Sequence, residues 1–218
     1  MKTLVVLSGG MDSTTALAWA KNRGHECFAV HFQYGSKHNR KESGAVRAVT
    51  DHFEVPLSVV ELPFVNALFK SDLLKSGGDI PEGHYADESM KRTVVPFRNG
   101  IMLSIAAGLA ESMGCEAVIL GNHFGDHAIY PDCRADFAAA MREAIRLGTY
   151  AQVELVSPFQ MVDKAQIAKI GHQLGVPFEK TWTCYKGGEK HCGKCGSCVE
   201  RREAFQLVGV PDPTEYEA

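Results

Sequence analysis

Apolar and polar residues alternate along this chain in two rhythms. Thr3 to Leu7 is a continuous apolar, β-branched run that stops at Ser8-Gly9-Gly10, the pattern of a strand buried on both faces. Residues 12–22 then take helical spacing, with Leu17 and Ala20 on one side and Gly24 at the end. A strand over Cys27 to Phe32, a polar helix over 38–52 and a strand over Leu57 to Leu62 follow. Residues 66–95 break the rhythm: Gly77-Gly78, Pro81, Gly83 and scattered charges show no sustained period, so they read as a long insertion, part of a lid or an interface. Order returns with a helix from Arg98 to Met113, in which Ile101, Ile105 and Leu109 mark a buried face. Strand Ala117 to Leu120, helix Ala135 to Leu147, strand Val153 to Val156, helix Val162 to Leu174 and a final helix over 197–208 complete the series.

Strands alternating with helices imply right-handed βαβ units. The expected fold is therefore α/β, an open five-stranded parallel sheet with helices on both faces. Residues 1–180 are expected to form the main α/β domain, and 181–218, rich in Gly and Cys, a small C-terminal appendage packed on it.

Composition narrows this picture only slightly. With 218 residues, 45% hydrophobic and 22% charged, the chain suits one globular domain and excludes disordered or collagen-like classes. The net charge of −3 excludes a wholly basic nucleic-acid surface. The apolar start is too short for a signal or a membrane span, so a cytoplasmic location and no membrane partner are expected.

Seven cysteines stand out, at 27, 115, 133, 184, 192, 195 and 198. Four of them form Cys184-x7-Cys192-x2-Cys195-x2-Cys198, in which C-x2-C turns bring sulfurs to one centre. In a reducing compartment this reads as a closed, structural Zn²⁺ site, with an iron–sulfur cluster ranked second because Gly193, Lys194, Gly196 and Ser197 give compact polar turns. Residues 180–203 carry six Lys or Arg against three Glu, and four thiolates with one Zn²⁺ reduce that balance to about +1. The segment is thus weak evidence for RNA.

Ser8-Gly9-Gly10-Met11-Asp12-Ser13, between the first strand and the first helix, is a phosphate nest: glycines curl the backbone so that N–H groups converge, and the helix adds its positive N-terminus. The Ser8 and Ser13 hydroxyls add donors, and Asp12 is placed to cap the helix or to approach a phosphate-bound Mg²⁺. No Walker A string, G-x-x-x-x-G-K-[ST], is present. Beyond the fourth strand, Gly121 to Arg134 (GNHFGDHAIYPDCR) concentrates His, Asp, Tyr and Arg where open parallel sheets bind ligands. Cys133 there reads either as a nucleophile or, more commonly for a lone thiol, as an inert buried group. Taken alone, Arg98 and Asn99 read as a helix start and His38 as an exposed helix residue.

SGGMDS resembles the PP-loop of ATP pyrophosphatases, the adenine nucleotide alpha-hydrolase-like group, which implies ATP held through its β- and γ-phosphates by Ser8 to Ser13. Lys164 in MVDKAQI matches that group's phosphate-binding lysine. Together with FQYGSKH, VPFRNG, YPDCRADF, TWTCYKGG and GVPDPTEY, the loop resembles the 7-cyano-7-deazaguanine synthase family over nearly the whole chain, with a departure at Ser36-Lys37, where the family usually has Gln-Arg. The resemblance implies a carbon–nitrogen ligase of queuosine precursor biosynthesis that uses ATP, Mg²⁺ and ammonium on 7-carboxy-7-deazaguanine, with structural Zn²⁺, no nucleic acid and a homodimeric state. Arg98, Asp132 and Arg134 are then expected to recognise substrate, and Asp126 and His127 to handle metal or protons. The alternatives are a PP-loop enzyme that modifies tRNA and a zinc-dependent RNA-binding module.

Overall fold

The computed structural model describes residues 1–123 and 129–217. Its centre is one all-parallel sheet of β1 (Lys2–Val6), β2 (Glu26–Gln33), β3 (Leu57–Glu61), β4 (Ala117–Ile119) and β5 (Glu154–Val156), in the order β3-β2-β1-β4-β5. Seven α-helices surround it among the described residues: α1 (Met11–Asn22), α2 (Asn39–Phe53), α3 (Pro63–Leu68), α4 (Arg98–Ser112), α5 (Ala135–Gly148), α6 (Lys164–Gln173) and α7 (Gly196–Val208).

Alternation along the strands separates two cores, because successive side chains point to opposite faces. Leu4, Val30, Phe32 and Val118 meet Leu103, Ala106 and Ala110 of α4 on one face. Val5, Leu7, Ala29 and Ile119 meet Leu17 of α1, Val46 and Val49 of α2, Ile167 of α6 and Phe205 of α7 on the other. Each core strand is apolar on both sides, which is why the sequence shows runs rather than alternation. The chain moves outward from β1 to β2 and β3, then crosses back to β4 and β5. The reversal leaves a crevice beyond the C-terminal ends of β1 and β4, the position where such sheets bind ligands.

The insertion is irregular, as its lack of a period implies, but well packed. It begins with α3, which is too short to show a period, and it is packed: Leu73, Leu74, Ile80, Tyr85 and Met90 are buried. Lys37 fixes its first half by donating to the carbonyls of Asp72 at 2.8 Å and Leu74 at 2.5 Å. A bridge between Glu82 and Cys195 fixes its second half to the cysteine segment. Helix α6 starts at Lys164 rather than Val162 because Asp163 and Gln166 form a reciprocal capping box. Among the described residues no helix is long and apolar enough to cross a membrane.

Candidate active site

The loop after β1 turns at Gly9, whose φ of +80° is strained for any residue with a side chain. A Cβ there would also stand 3.0 Å from Ala45 Cβ, Glu42 O and Val46 N, so α2 packs directly against the loop. The loop is held from the far side by Trp182, whose N–H donates to Gly9 O at 2.9 Å. Gly10 is the N-cap of α1 and offers no side-chain cap, so the first-turn N–H groups remain available to an anion. Ser8 and Ser13 link through their hydroxyls at 3.0 Å, and the Ser8 N–H donates to Ser13 Oγ at 3.2 Å. At the end of β4, Gly121 lies so close to α1 that a Cβ would meet Ser13 Cα at 2.9 Å.

Lys164, the first residue of α6, reaches this loop. Its Nζ lies 2.5 Å from Asp12 Oδ2 and 3.5 Å from Glu200 Oε2 of α7. Buried His123 approaches the same carboxylates, at 3.9 Å from Asp12 and 4.0 Å from Glu200. Asp12 Oδ1 is buried and has no hydrogen-bond donor among the described residues, the kind of acceptor that suits a Mg²⁺ ion arriving with phosphates.

Ser8, Gly10, Met11, Asp12, Ser13 and Lys164 line one end of a cavity of about 200 Å³. Tyr34, His38, Glu42, Arg98 and Tyr185 line the same cavity, with the α2 backbone at Glu42 packed against Gly9 of the loop. Arg98 donates to the Tyr34 hydroxyl at 3.0 Å and lies over that ring. Burial pushes the Tyr34 phenol up to about 12, so it stays neutral. Burial also opposes the charge on Arg98, but Tyr34, Tyr185, Asp132 and Tyr130 outweigh it and hold the pKa well above its ordinary value. His38 stacks on Tyr185 at 5.4 Å, with Nδ1 3.2 Å from Tyr185 O and Nε2 3.3 Å from Glu42 Oε1.

The four clustered cysteines place their sulfurs within 4.8 Å of one another, all buried. Backbone N–H groups of Lys194 and Cys195 donate to Cys192 Sγ at 3.4 and 3.3 Å, and Cys192 N–H to Cys184 Sγ at 3.4 Å. Hydrogen bonds from Cys195 and Cys198 pull the Cys184 thiol strongly down, while the same contact pushes Cys195 up to about 12. Four buried sulfurs this close together, with N–H···S donors to Cys184 and Cys192, form a set that fits a thiophilic cation. Thr183, Tyr185 and Ser197 from this segment line the cavity, so the cluster shapes the site's wall.

Several expected residues occupy other positions. Asp132 is buried outside the cavity lining and accepts from Asn99 N at 2.8 Å, capping the start of α4. Arg134 is exposed at the N-cap of α5 and does not line the cavity. Asp126 and His127 lie outside the described residues. Cys133 lines the cavity and takes a 3.2 Å contact from Asn99 Nδ2. His38, read as exposed, is 2% exposed. Sequence reasoning did not single out Glu42 or Glu200, and it named His123 only as part of the 121–134 stretch. The spacing His38-x3-Glu42, one helical turn, was the available signal for the first. For the other two only three-dimensional proximity reveals the link.

A sequence model of the family described as Queuosine biosynthesis protein QueC matches residues 2–209. A 7-cyano-7-deazaguanine synthase of Porphyromonas gingivalis is 54% identical over 99% of this chain and 97% of its own length. One from Desulfotalea psychrophila is 50% identical over 98% of both chains. Among solved structures, a U34-tRNA thiolase, NcsA, from Methanococcus maripaludis with its 4Fe–4S cluster aligns with a TM-score of 0.52 at 12% identity, covering 100% of this chain and 74% of that one, a likeness of fold alone. With near-complete coverage by the family and by relatives at half identity, the chain belongs to the QueC family of queuosine biosynthesis proteins.

Proposed function

We propose that this chain is a carbon–nitrogen ligase that converts 7-carboxy-7-deazaguanine and ammonium to 7-cyano-7-deazaguanine with ATP. The observation that carries the reading is the sharing of one cavity by the phosphate loop with Lys164 and by aromatic rings with a half-buried Arg98. The loop N–H groups, Ser8, Ser13 and Lys164 hold the β- and γ-phosphates as the departing pyrophosphate, and the α-phosphorus is left facing the base. A carboxylate is a poor electrophile, and ammonia merely forms its salt. Attack of a carboxylate oxygen on the α-phosphorus releases pyrophosphate and gives an acyl adenylate. Ammonia displaces AMP and yields the primary amide. A second ATP takes the amide oxygen in the same way, and loss of AMP with two protons leaves the nitrile.

Arg98 orients the substrate, and Asp132 acts through Asn99 and the start of α4 rather than by touching the base. Asp126 and His127 remain the proposed groups for proton or metal handling, and Arg134 for substrate recognition. Asp12 would hold a Mg²⁺ ion arriving with the nucleotide, which would supply neutralisation of phosphate charge. Cys184, Cys192, Cys195 and Cys198 would hold a Zn²⁺ ion, which would supply a structural cross-link for the C-terminal segment.

The test is direct. Purified protein with ATP, Mg²⁺, ammonium and the free base yields nitrile and AMP by mass spectrometry. An absence of nitrile from the free base contradicts the reading, and ADP in place of AMP contradicts adenylation.

A further inference from the structure

The cavity contains two carboxylates among its described lining residues, and they differ in engagement. Asp12 belongs to the phosphate end, 2.5 Å from Lys164. Glu42 lies near the aromatic wall, where only one of its oxygens is engaged: Oε1 faces His38 Nε2 at 3.3 Å, and no donor among the described residues is bonded to Oε2. Both ring nitrogens of His38 face oxygen acceptors, Tyr185 O on one side and Glu42 on the other, which fixes the imidazole and through it the carboxylate. Burial works against the Glu42 charge, but His38, then His31 and Arg98, outweigh it and hold the carboxyl below the usual range. Glu42 therefore presents an ionised acceptor to a slot bordered by Tyr34, Tyr85, Tyr130 and Tyr185.

A charged acceptor in an aromatic slot selects a flat ligand with paired donors. Two bases enter this site. Adenine presents its amino group beside the N1 lone pair, so a carboxylate facing that edge meets one donor and one acceptor. The 2-amino-pyrimidinone ring of a 7-deazaguanine presents N1–H beside the exocyclic amino group, two parallel donors that match two carboxylate oxygens.

We propose that Glu42 is the specificity-determining acceptor for the N1–H and 2-amino edge of the substrate base, with His38 as the residue that positions it. The inference rests on the substrate reading above and goes beyond it by assigning the group that distinguishes a guanine-type ring from other flat bases. Since an unmatched buried acceptor penalises the wrong ligand, the pairing also explains how one cavity keeps ATP's own base out of the substrate position.

Equilibrium binding separates this assignment from the overall reaction, because it needs no turnover. Calorimetric titrations use the full chain with 7-carboxy-7-deazaguanine, and with the analogue that lacks the 2-amino group. The native protein prefers the complete base by about 10- to 100-fold, the worth of a hydrogen bond to a charged group. E42Q loses most of that preference, and its ATP affinity stays within about 3-fold, a change of under 1 kcal/mol by the same conversion. H38Q weakens base binding in the same direction by a smaller factor, whereas E42D, which keeps the charge, restores part of the preference. An E42Q protein that still discriminates between the two bases overturns the proposal, as does one whose ATP affinity falls while base binding is unchanged. ATP binding by E42Q also reports that the variant is folded. A native protein that binds the base and discriminates, yet makes no nitrile, upholds the role of Glu42 while refuting the reaction.

Discussion

Adjacent glycines in the phosphate loop have opposite tolerances, and this gives a sharp prediction. Alanine at position 9 enters a left-handed conformation, φ +80°, with its Cβ 3.0 Å from two backbone atoms of α2 and from Ala45 Cβ. The left-handed backbone costs about 1–2 kcal/mol. Backbone atoms cannot rotate away as a flexible side chain would, so the three contacts bring the total to roughly 2–4 kcal/mol, within the range of overpacking. Alanine at position 10 adopts the extended φ −78°, ψ 167° found there, and its Cβ would meet Ser8 Oγ at 3.4 Å and Trp182 O at 3.6 Å, ordinary contacts. Only the poorer N-cap remains, about 0.5–1 kcal/mol. For a chain of this size each kcal/mol shifts Tm by about 2–4 °C, so G9A melts roughly 5–15 °C lower and G10A within about 4 °C of the native protein. Differential scanning calorimetry on both variants measures the difference. Equal melting temperatures would refute the assigned loop geometry.

Three further outcomes follow from the site. K164A removes the cation 2.5 Å from Asp12, and kcat/KM for ATP is expected to fall by about 10- to 100-fold in steady-state kinetics, with an unchanged value contradicting its phosphate role. Removing metal with a strong chelator, or substituting Cys195 by Ser, frees the segment whose Trp182 holds Gly9, so ATP affinity by calorimetry should fall together with the melting temperature. Arg201 is fully buried and pairs with Asp212 at 3.2 Å, so D212A leaves an uncompensated charge and costs about 3–5 kcal/mol in denaturant titrations. Burial raises the Asp212 pKa, but Arg201, Tyr216 and Thr214 outweigh it and hold the carboxyl below its ordinary value. The pairing thus stabilises the fold above the unfolded carboxyl pKa of about 4, and its contribution is lost as pH falls through the lower folded value, an acid dependence that D212A flattens.

Much of the fold was legible because β-branched runs and helical spacing are local signals. The PP-loop and the four cysteines were legible because their chemistry needs closely spaced residues. Long-range packing was hidden. Arg201 counted as one more basic residue in a charged stretch, yet it is buried and donates to Thr181 Oγ1 at 2.7 Å and to Phe178 O at 3.2 Å. Asp132 had the composition of a substrate ligand but caps α4, a use that depends on where the chain brings Asn99. The packing of the insertion was hidden since its buried Leu73, Leu74 and Met90 fit an irregular path and follow no period. His38 and Glu42 carried a one-turn spacing shared by countless surface pairs, and only burial against Tyr185 distinguishes them.

The central claim, that one phosphate loop activates first a carboxylate and then an amide by adenylation, is tested most directly by oxygen transfer. Substrate carrying ¹⁸O in both carboxylate positions is converted with unlabelled ATP, and the AMP is analysed by mass spectrometry. The account predicts two AMP per nitrile, each with one ¹⁸O, because each carboxylate oxygen leaves on an α-phosphorus. Label found in orthophosphate, or nitrile formed with unlabelled AMP, would contradict it.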